Sequence, residues 1–217
     1  MHILAINGSP RKKWNTATLL EKALEGAASQ GATTELIHLY DLDYKGCTSC
    51  FACKLIGGPS EGRCAIQDEL RSVLERIETE VDALILGSPI YFGSMSGEMR
   101  SFLERLLFAQ LVYSQPPRSL FPRTIKTATI YTMNVDEERC EQMGYPTMFG
   151  YTEASLTRAF GTEAETLCCY DTLQFADYSK VIMEYMDPAK KASRRAEVFP
   201  HDCQRAFELG QRLAKMD

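Results

Sequence analysis

The apolar run Ile3-Leu4-Ala5-Ile6, the turn Asn7-Gly8-Ser9-Pro10-Arg11-Lys12-Lys13-Trp14-Asn15-Thr16 and the helically spaced residues that follow constrain the fold more than any other stretch. Four consecutive apolar residues read as a strand covered on both faces. The next apolar positions, Leu19, Leu20, Ala23, Leu24 and Ala27, have helical spacing, and Gly31 stops them. A strand buried on both faces needs helices on both sides, and the chain supplies them in alternation. Residues 34–39 read as a second strand, and residues 68–77 as an amphipathic helix through Leu70, Val73, Leu74 and Ile77. Residues 83–86 are a third strand, ending in Gly87-Ser88-Pro89, and residues 95–108 a further helix. Residues 128–133 and 166–170 give the fourth and fifth strands, and residues 203–213 a closing helix. This alternation predicts an α/β fold with a doubly wound, five-stranded parallel sheet and right-handed crossovers, in the order 2-1-3-4-5. A single domain is expected over residues 1–217, with a Cys-rich loop at 44–64 and arms or lids at 110–123 and 134–165. Residues 174–200 also hold few strong elements.

A net charge of −5 argues against a nucleic-acid partner. No apolar run reaches the length of a membrane span, and the chain enters a strand without the basic and apolar regions of a signal peptide. A cytoplasmic location is therefore expected, and the eight cysteines read as thiols, metal ligands or redox groups rather than a disulfide frame.

In a parallel sheet the C-terminal strand ends share one edge, where ligands bind. The turn after the first strand, the Cys-rich loop, the loop after the third strand and the residues after the fourth are expected to converge there. The turn lacks G-x-x-x-x-G-K-[ST] and G-x-G-x-x-G, so neither a Mg-nucleotide nor a dinucleotide is indicated. It suits a phosphate monoester held by Ser9, Asn15, Thr16 and backbone amides at a helix N-terminus. FMN is the common cofactor with that handle in such a sheet. Alternatively, these are only turn and cap residues. In the loop after the third strand, Pro89, Ile90, Tyr91 and Phe92 offer apolar faces and Gly93 lets backbone amides approach, which suits an isoalloxazine ring. The alternative is an aromatic loop packed into the core, with Ser94 or Ser96 capping the next helix.

Cys47-x-x-Cys50-x-x-Cys53, followed after ten residues by Cys64, can converge on a [4Fe–4S] cluster, with Gly57, Gly58 and Gly62 making the return flexible. A zinc site, free thiols or a disulfide relay are the alternatives. Without a metal, Lys54 would favour a thiolate at Cys53. Cys168 and Cys169 read as small core residues, and Cys140 and Cys203 have no assigned role. His2, His38 and His201 are scattered and form no hydrolase-like arrangement. Residues 99–108 are apolar around much of the helix, which fits burial against a partner subunit or under residues 110–123. Arg11, Lys12 and Lys13 either attract NADPH phosphates or form a solvated basic turn.

Two segments carry a resemblance. Asn7-Gly8-Ser9-Pro10-Arg11-Lys12 with Asn15-Thr16, and Gly87-Ser88-Pro89-Ile90-Tyr91-Phe92-Gly93 before Gly97-x-Met99-Arg100-x-Phe102-x-Glu104-Arg105, resemble the NADPH-dependent FMN reductase and flavodoxin superfamily, in its iron–sulfur flavoprotein-like branch. The resemblance covers roughly residues 1–133. It implies a flavodoxin-like fold and non-covalent FMN, with Ser9, Arg11, Asn15 and Thr16 on the phosphate and Pro89, Ile90, Tyr91, Phe92 and Gly93 along the ring. Trp14 stands where the family usually has a small residue. Iron–sulfur flavoproteins have cysteines similar to Cys47, Cys50, Cys53 and Cys64, with a shorter final gap. The activity implied is FMN-dependent NAD(P)H oxidation with quinone-, azo-, nitro- or iron-type acceptors, in a homodimer or homotetramer. No side chain is assigned an acid or base role. The alternative is an electron-transfer protein in which a ferredoxin-like donor feeds the cluster and then FMN. A third reading is a flavin-bearing redox sensor acting through a partner.

Overall fold

The computed structural model describes residues 1–184 and 186–215. Strand β1 (His2–Asn7) leads into helix α1 (Asn15–Ala28), followed by β2 (Thr33–His38), α2 (Glu69–Thr79) and β3 (Ala83–Tyr91). Next come β4 (Ser94–Met95), α3 (Gly97–Gln110), β5 (Leu111–Val112), β6 (Arg118–Ser119) and β7 (Lys126–Thr132). The chain continues through α4 (Glu137–Gln142), α5 (Tyr145–Phe160), β8 (Glu165–Cys169), α6 (Pro188–Glu197) and α7 (Phe199–Leu213). The sheet order is β2-β1-β3-β7-β8, with every neighbouring pair parallel. This is the expected 2-1-3-4-5 order, with β7 and β8 as the fourth and fifth long strands.

Side chains alternate between the sheet's two faces. Leu4, Ile6, Leu84, Leu86 and Tyr131 pack with residues of α2, α3 and α5. Ile3, Ala5, Ala83, Ile85, Ala128 and Ile130 pack with residues of α1 and α7 on the opposite face. Residues 3–6 are fully buried, as a central strand covered on both sides requires.

Three expectations are corrected. The segment after residue 86 is not a loop: β3 runs on to Tyr91 and turns through Phe92-Gly93 into antiparallel β4. Both turn residues have positive φ, +51° and +78°, which matches the right-handed strand twist in a two-residue hairpin. Residues 134–165 are not an irregular arm but hold α4 and the crossover helix α5. Residues 174–200 hold α6 and the start of α7, which begins four residues before the expected Cys203. Residues 110–123 carry the β5–β6 ribbon. No described helix is long and apolar enough to cross a membrane.

Candidate cofactor cleft and cysteine cavity

A cleft at the C-terminal edge of the sheet brings together Ser9, Arg11, Asn15 and Thr16 with Pro89, Ile90 and Tyr91. The hydrogen bonds that shape it start in the turn after β1. Gly8 N–H donates to Gly87 O at 2.8 Å, and Ser96 Oγ–H donates to Gly8 O at 2.6 Å. Gly8 admits no side chain, since a Cβ there would lie 2.8 Å from Met99 Cβ. Ser9 N–H donates to Asn7 Oδ1 at 2.9 Å, and Arg11 N–H to Ser9 Oγ at 3.2 Å. Ser9, Asn15 and Thr16 are all buried.

The first turn of α1 bears on both the phosphate and the cap readings. Trp14 occupies the N-cap position, and no side chain caps the helix. The terminal N–H groups and the positive dipole end are therefore left for a ligand. Thr16 Oγ lies 2.8 Å from Thr132 Oγ. The Arg11 guanidinium rests over the Trp14 ring, 5.0 Å from its centroid, and donates to Gln174 O at 2.5 Å. Trp14 and Asn15 both donate to Leu173 O, at 3.0 and 2.8 Å, and so tie the segment after β8 to the turn. Uncapped amides, two hydroxyls and a guanidinium fit a phosphate monoester. Lys12 pairs with Asp41 on the surface.

The end of β3 supplies the apolar wall through Pro89 and Ile90, with Tyr91 half exposed. Phe92 and Gly93, expected along the ring, do not line this cleft. The hairpin places the Phe92 side chain fully in solvent and turns Gly93 toward a neighbouring cavity. Ser96 does cap α3, accepting from Met99 N–H at 3.3 Å. Thr132 at the end of β7, with Met133 and Asn134 just beyond it, lines the cleft where the residues after the fourth strand were expected, whereas sequence reasoning missed Thr172 and Gln174 after β8. Their signal was positional: they follow the fifth strand at the same edge.

The Cys-rich loop is not part of the cleft, contrary to expectation. It descends the flank of α3 to the start of β5, with a hydrogen bond about every second turn. Tyr44 Oη–H donates to Glu98 O at 2.6 Å, Cys47 N–H to Glu104 Oε2 at 3.3 Å, and Lys54 Nζ to Leu111 O at 2.5 Å. At 1.5 Å per residue, Arg105 lies about 14 Å along α3 from Ser96, so the loop's lower part leaves the sheet edge behind.

There Cys47, Cys50, Cys53 and Cys64 line one small cavity with Glu104, Arg105 and Phe108. All four are free thiols. Among the described residues, no three His, Cys, Asp or Glu side chains are gathered to hold a single metal ion. A [4Fe–4S] cluster takes one cysteine per iron, so its ligands stand wider apart than those of one zinc. Four thiols are the donor type such a cluster takes. Arg105, fully buried, donates from Nε to Cys64 Sγ at 2.7 Å and from Nη1 to Asp68 at 2.8 Å. Burial opposes the Asp68 carboxylate, but the Arg105 guanidinium outweighs it and holds the Asp68 pKa below its usual value. Lys54 does not activate Cys53 as expected. Burial pushes the Cys53 thiol up and outweighs the adjacent ammonium, whose own pKa burial lowers. Cys169 sits in the core, its thiol pushed up by burial and by the carboxylate of Asp202, to which it donates at 3.1 Å.

Between α3 and α5 lies a larger cavity of about 620 Å³ with a mainly apolar floor including Leu103, Leu107, Phe108 and Phe149. Cys47 and Gly93 both line it, so it connects the cysteine loop to the hairpin beside the cleft.

A family model described as NADPH-dependent FMN reductase matches residues 1–123, more than half of the chain. The chain belongs to this FMN reductase family. An iron–sulfur flavoprotein of Methanocaldococcus jannaschii is 38% identical over 105 residues, covering 48% of this chain and 51% of the relative. The chain thus spans about half the length of the curated relatives it matches. The fold is flavodoxin-like, shared with an NAD(P)H:quinone oxidoreductase from Methanothermobacter marburgensis (TM-score 0.72, 16% identity, 98% of each chain). An FMN-dependent NADH-azoreductase from Bacillus anthracis, solved in complex with FMN, superposes with TM-score 0.63 at 13% identity, over 99% of this FMN reductase family member and 100% of the azoreductase.

Proposed function

We propose that this protein is an FMN-dependent NAD(P)H oxidoreductase that reduces quinone-, azo-, nitro- or iron-type acceptors. The observation that carries the reading is a single cleft with an uncapped helix N-terminus, Ser9, Thr16 and Arg11 at one end and Pro89, Ile90 and Tyr91 at the other. The family description and the FMN-bound azoreductase neighbour support FMN as the occupant. Bound FMN supplies hydride acceptance from a reduced nicotinamide and delivery of electrons to the acceptor. The chain's own residues hold and orient it. The α1 amides and Arg11 fix the phosphate, while Pro89 and Ile90 keep water from one side of the ring. Arg11 and Tyr91 are the titratable side chains lining the cleft, and neither is needed as an acid or base.

The four cysteines favour a second reading, an iron–sulfur flavoprotein that carries electrons from a ferredoxin-like donor. They line one cavity, and the similar archaeal protein is named an iron–sulfur flavoprotein. Cys47, Cys50, Cys53 and Cys64 would hold the [4Fe–4S] cluster, with the Arg105 hydrogen bond stabilising the Cys64 thiolate. The absorption spectrum of anaerobically purified protein, with its NADPH oxidation rate, separates the two readings. Clean flavin bands and rapid NADPH oxidation are expected for the reductase. Flavin bands over a broad brown shoulder, with weak NADPH turnover, identify the electron carrier. A colourless protein that takes up no added FMN overturns both.

Both readings include a homodimer or homotetramer, with the cavity between α3 and α5 as the contact face. Phe51, Phe92, Tyr113, Met148 and Tyr151 are all at least 47% exposed, and Met148 and Tyr151 line this cavity. Combining Leu107→Glu with Met148→Glu, two residues of this cavity, is expected to give a folded monomer by analytical ultracentrifugation. An unchanged sedimentation coefficient would refute this interface.

A further inference from the structure

Helix α6 stands outside the cleft, yet two of its side chains, one turn apart, grip residues that line it. Lys191 is 4% exposed, and its ammonium donates to Asn134 O and Asn134 Oδ1, both at 2.8 Å, while pairing with the Asp171 carboxylate. Arg195 donates from Nη1 to Asn15 Oδ1 at 2.9 Å, its guanidinium held 3.8 Å from the centroid of the Phe199 ring. The i, i+4 spacing puts both cations on one face of the helix.

A carboxamide has an acceptor end and a donor end. A cation fixed on the oxygen settles which end is left for the cleft: the amide NH2. Asn15 Nδ2 spends one hydrogen on Leu173 O, leaving the second. The partner of Asn134 Nδ2 is the Met186 thioether at 3.4 Å, a weak acceptor that a ligand oxygen or ring nitrogen readily replaces. Asn15 lies in the first turn of α1, at the phosphate end. Asn134 follows Thr132, which pairs with Pro89, so it stands at the ring end.

We propose that Lys191 and Arg195 are positioning residues that lock Asn134 and Asn15 as hydrogen-bond donors toward the flavin, and that Arg195 thereby sets the preference for a phosphorylated flavin over riboflavin. The inference rests on the FMN reading above. It makes α6 part of the cofactor site without direct contact.

The test is fluorescence titration of the apoprotein with FMN and with riboflavin. Arg195→Gln is expected to weaken FMN binding about tenfold, the effect of one misaligned hydrogen bond to a charged group, and to leave riboflavin binding within about twofold. In an Asn15→Ala background it is expected to cost nothing further, because the arginine acts through that side chain. Lys191→Met is expected to weaken both ligands about tenfold, again with no further loss in an Asn134→Ala background. Equal losses of FMN and riboflavin in Arg195→Gln, or losses that add to those of Asn15→Ala, overturn the proposal. If Lys191→Met does not fold, the Arg195 arm decides alone. Wild type and variants binding FMN equally well sink the role of α6 only, whereas a wild type that binds no FMN sinks the cofactor reading as well.

Discussion

An Asn15→Asp variant is expected to bind riboflavin about as well as the wild type but FMN at least a hundredfold more weakly. The two side chains have the same shape, so the variant differs in its charge and in the loss of the amide donor. Asn15 lies in the first turn of α1, where nothing caps the helix and where the phosphate reading puts an anion. A carboxylate there competes for the same field. Two unit charges about 4 Å apart repel by roughly 4 kcal/mol at the effective dielectric near a protein surface. Arg195, already on Asn15 Oδ1, neutralises part of this, leaving about 3 kcal/mol, or a factor of about a hundred. The fold itself should survive. The helix dipole favours an acidic residue in its first turn by about 0.3–1 kcal/mol, while loss of the donor to Leu173 O costs about 1–3 kcal/mol. Titration at low and high salt is the measurement, since the penalty should shrink as salt screens it. Equal FMN affinity in the two proteins would remove the phosphate from α1.

The elements that were legible in the sequence owe it to local pattern. Residues 3–6 and 83–86 are unbroken apolar runs because both their faces are covered, and the sheet order followed from them. Helix α5 was hidden by composition. Its sequence is rich in Thr, Tyr and Phe and contains Gly150, poor helix formers that packing on β7 and the flanking glycines Gly144 and Gly161 override. Helix α6 was hidden because it has no large apolar residue, only Pro188 and three alanines among polar ones, and is held by the Asp187 cap and by Lys191 rather than by an apolar stripe. The Cys-rich loop shows a different limit. Strand order tells from which edge a loop departs, but its course is set by α3 carbonyls and side chains far along the chain. The Arg105–Asp68 pair, which joins residues 37 apart, is invisible for the same reason. The ring loop was half legible. Its apolar residues were evident, but a two-residue hairpin sends Phe92 away from the Pro89 wall.

Gly210→Ala is expected to lower stability by about 3 kcal/mol, against the helix propensity that normally favours alanine by about 1 kcal/mol. Helices α1 and α7 touch backbone to backbone. A Cβ on Gly210 would lie 1.7 Å from Ala23 O, and one on Gly26 would lie 1.9 Å from Phe207 O. Neither obstacle is a side chain that could rotate away, so the two helices must separate along their contact. For a chain of this size the melting temperature should fall by about 6–12 °C. Gly150→Ala is the matched control. Nothing lies within 4 Å of a Cβ there, so the same substitution in α5 should leave stability unchanged or raise it by up to about 1 kcal/mol. Calorimetry on the pair tests the packing directly, and a Gly210→Ala protein that melts with the wild type would refute it. The consequence reaches the cleft, because α7 continues from α6, whose Arg195 bonds to Asn15 at the first turn of α1. Pushing α1 off α7 should stretch that bond, so the Gly210→Ala protein that does fold should also bind FMN more weakly than the Gly150→Ala control.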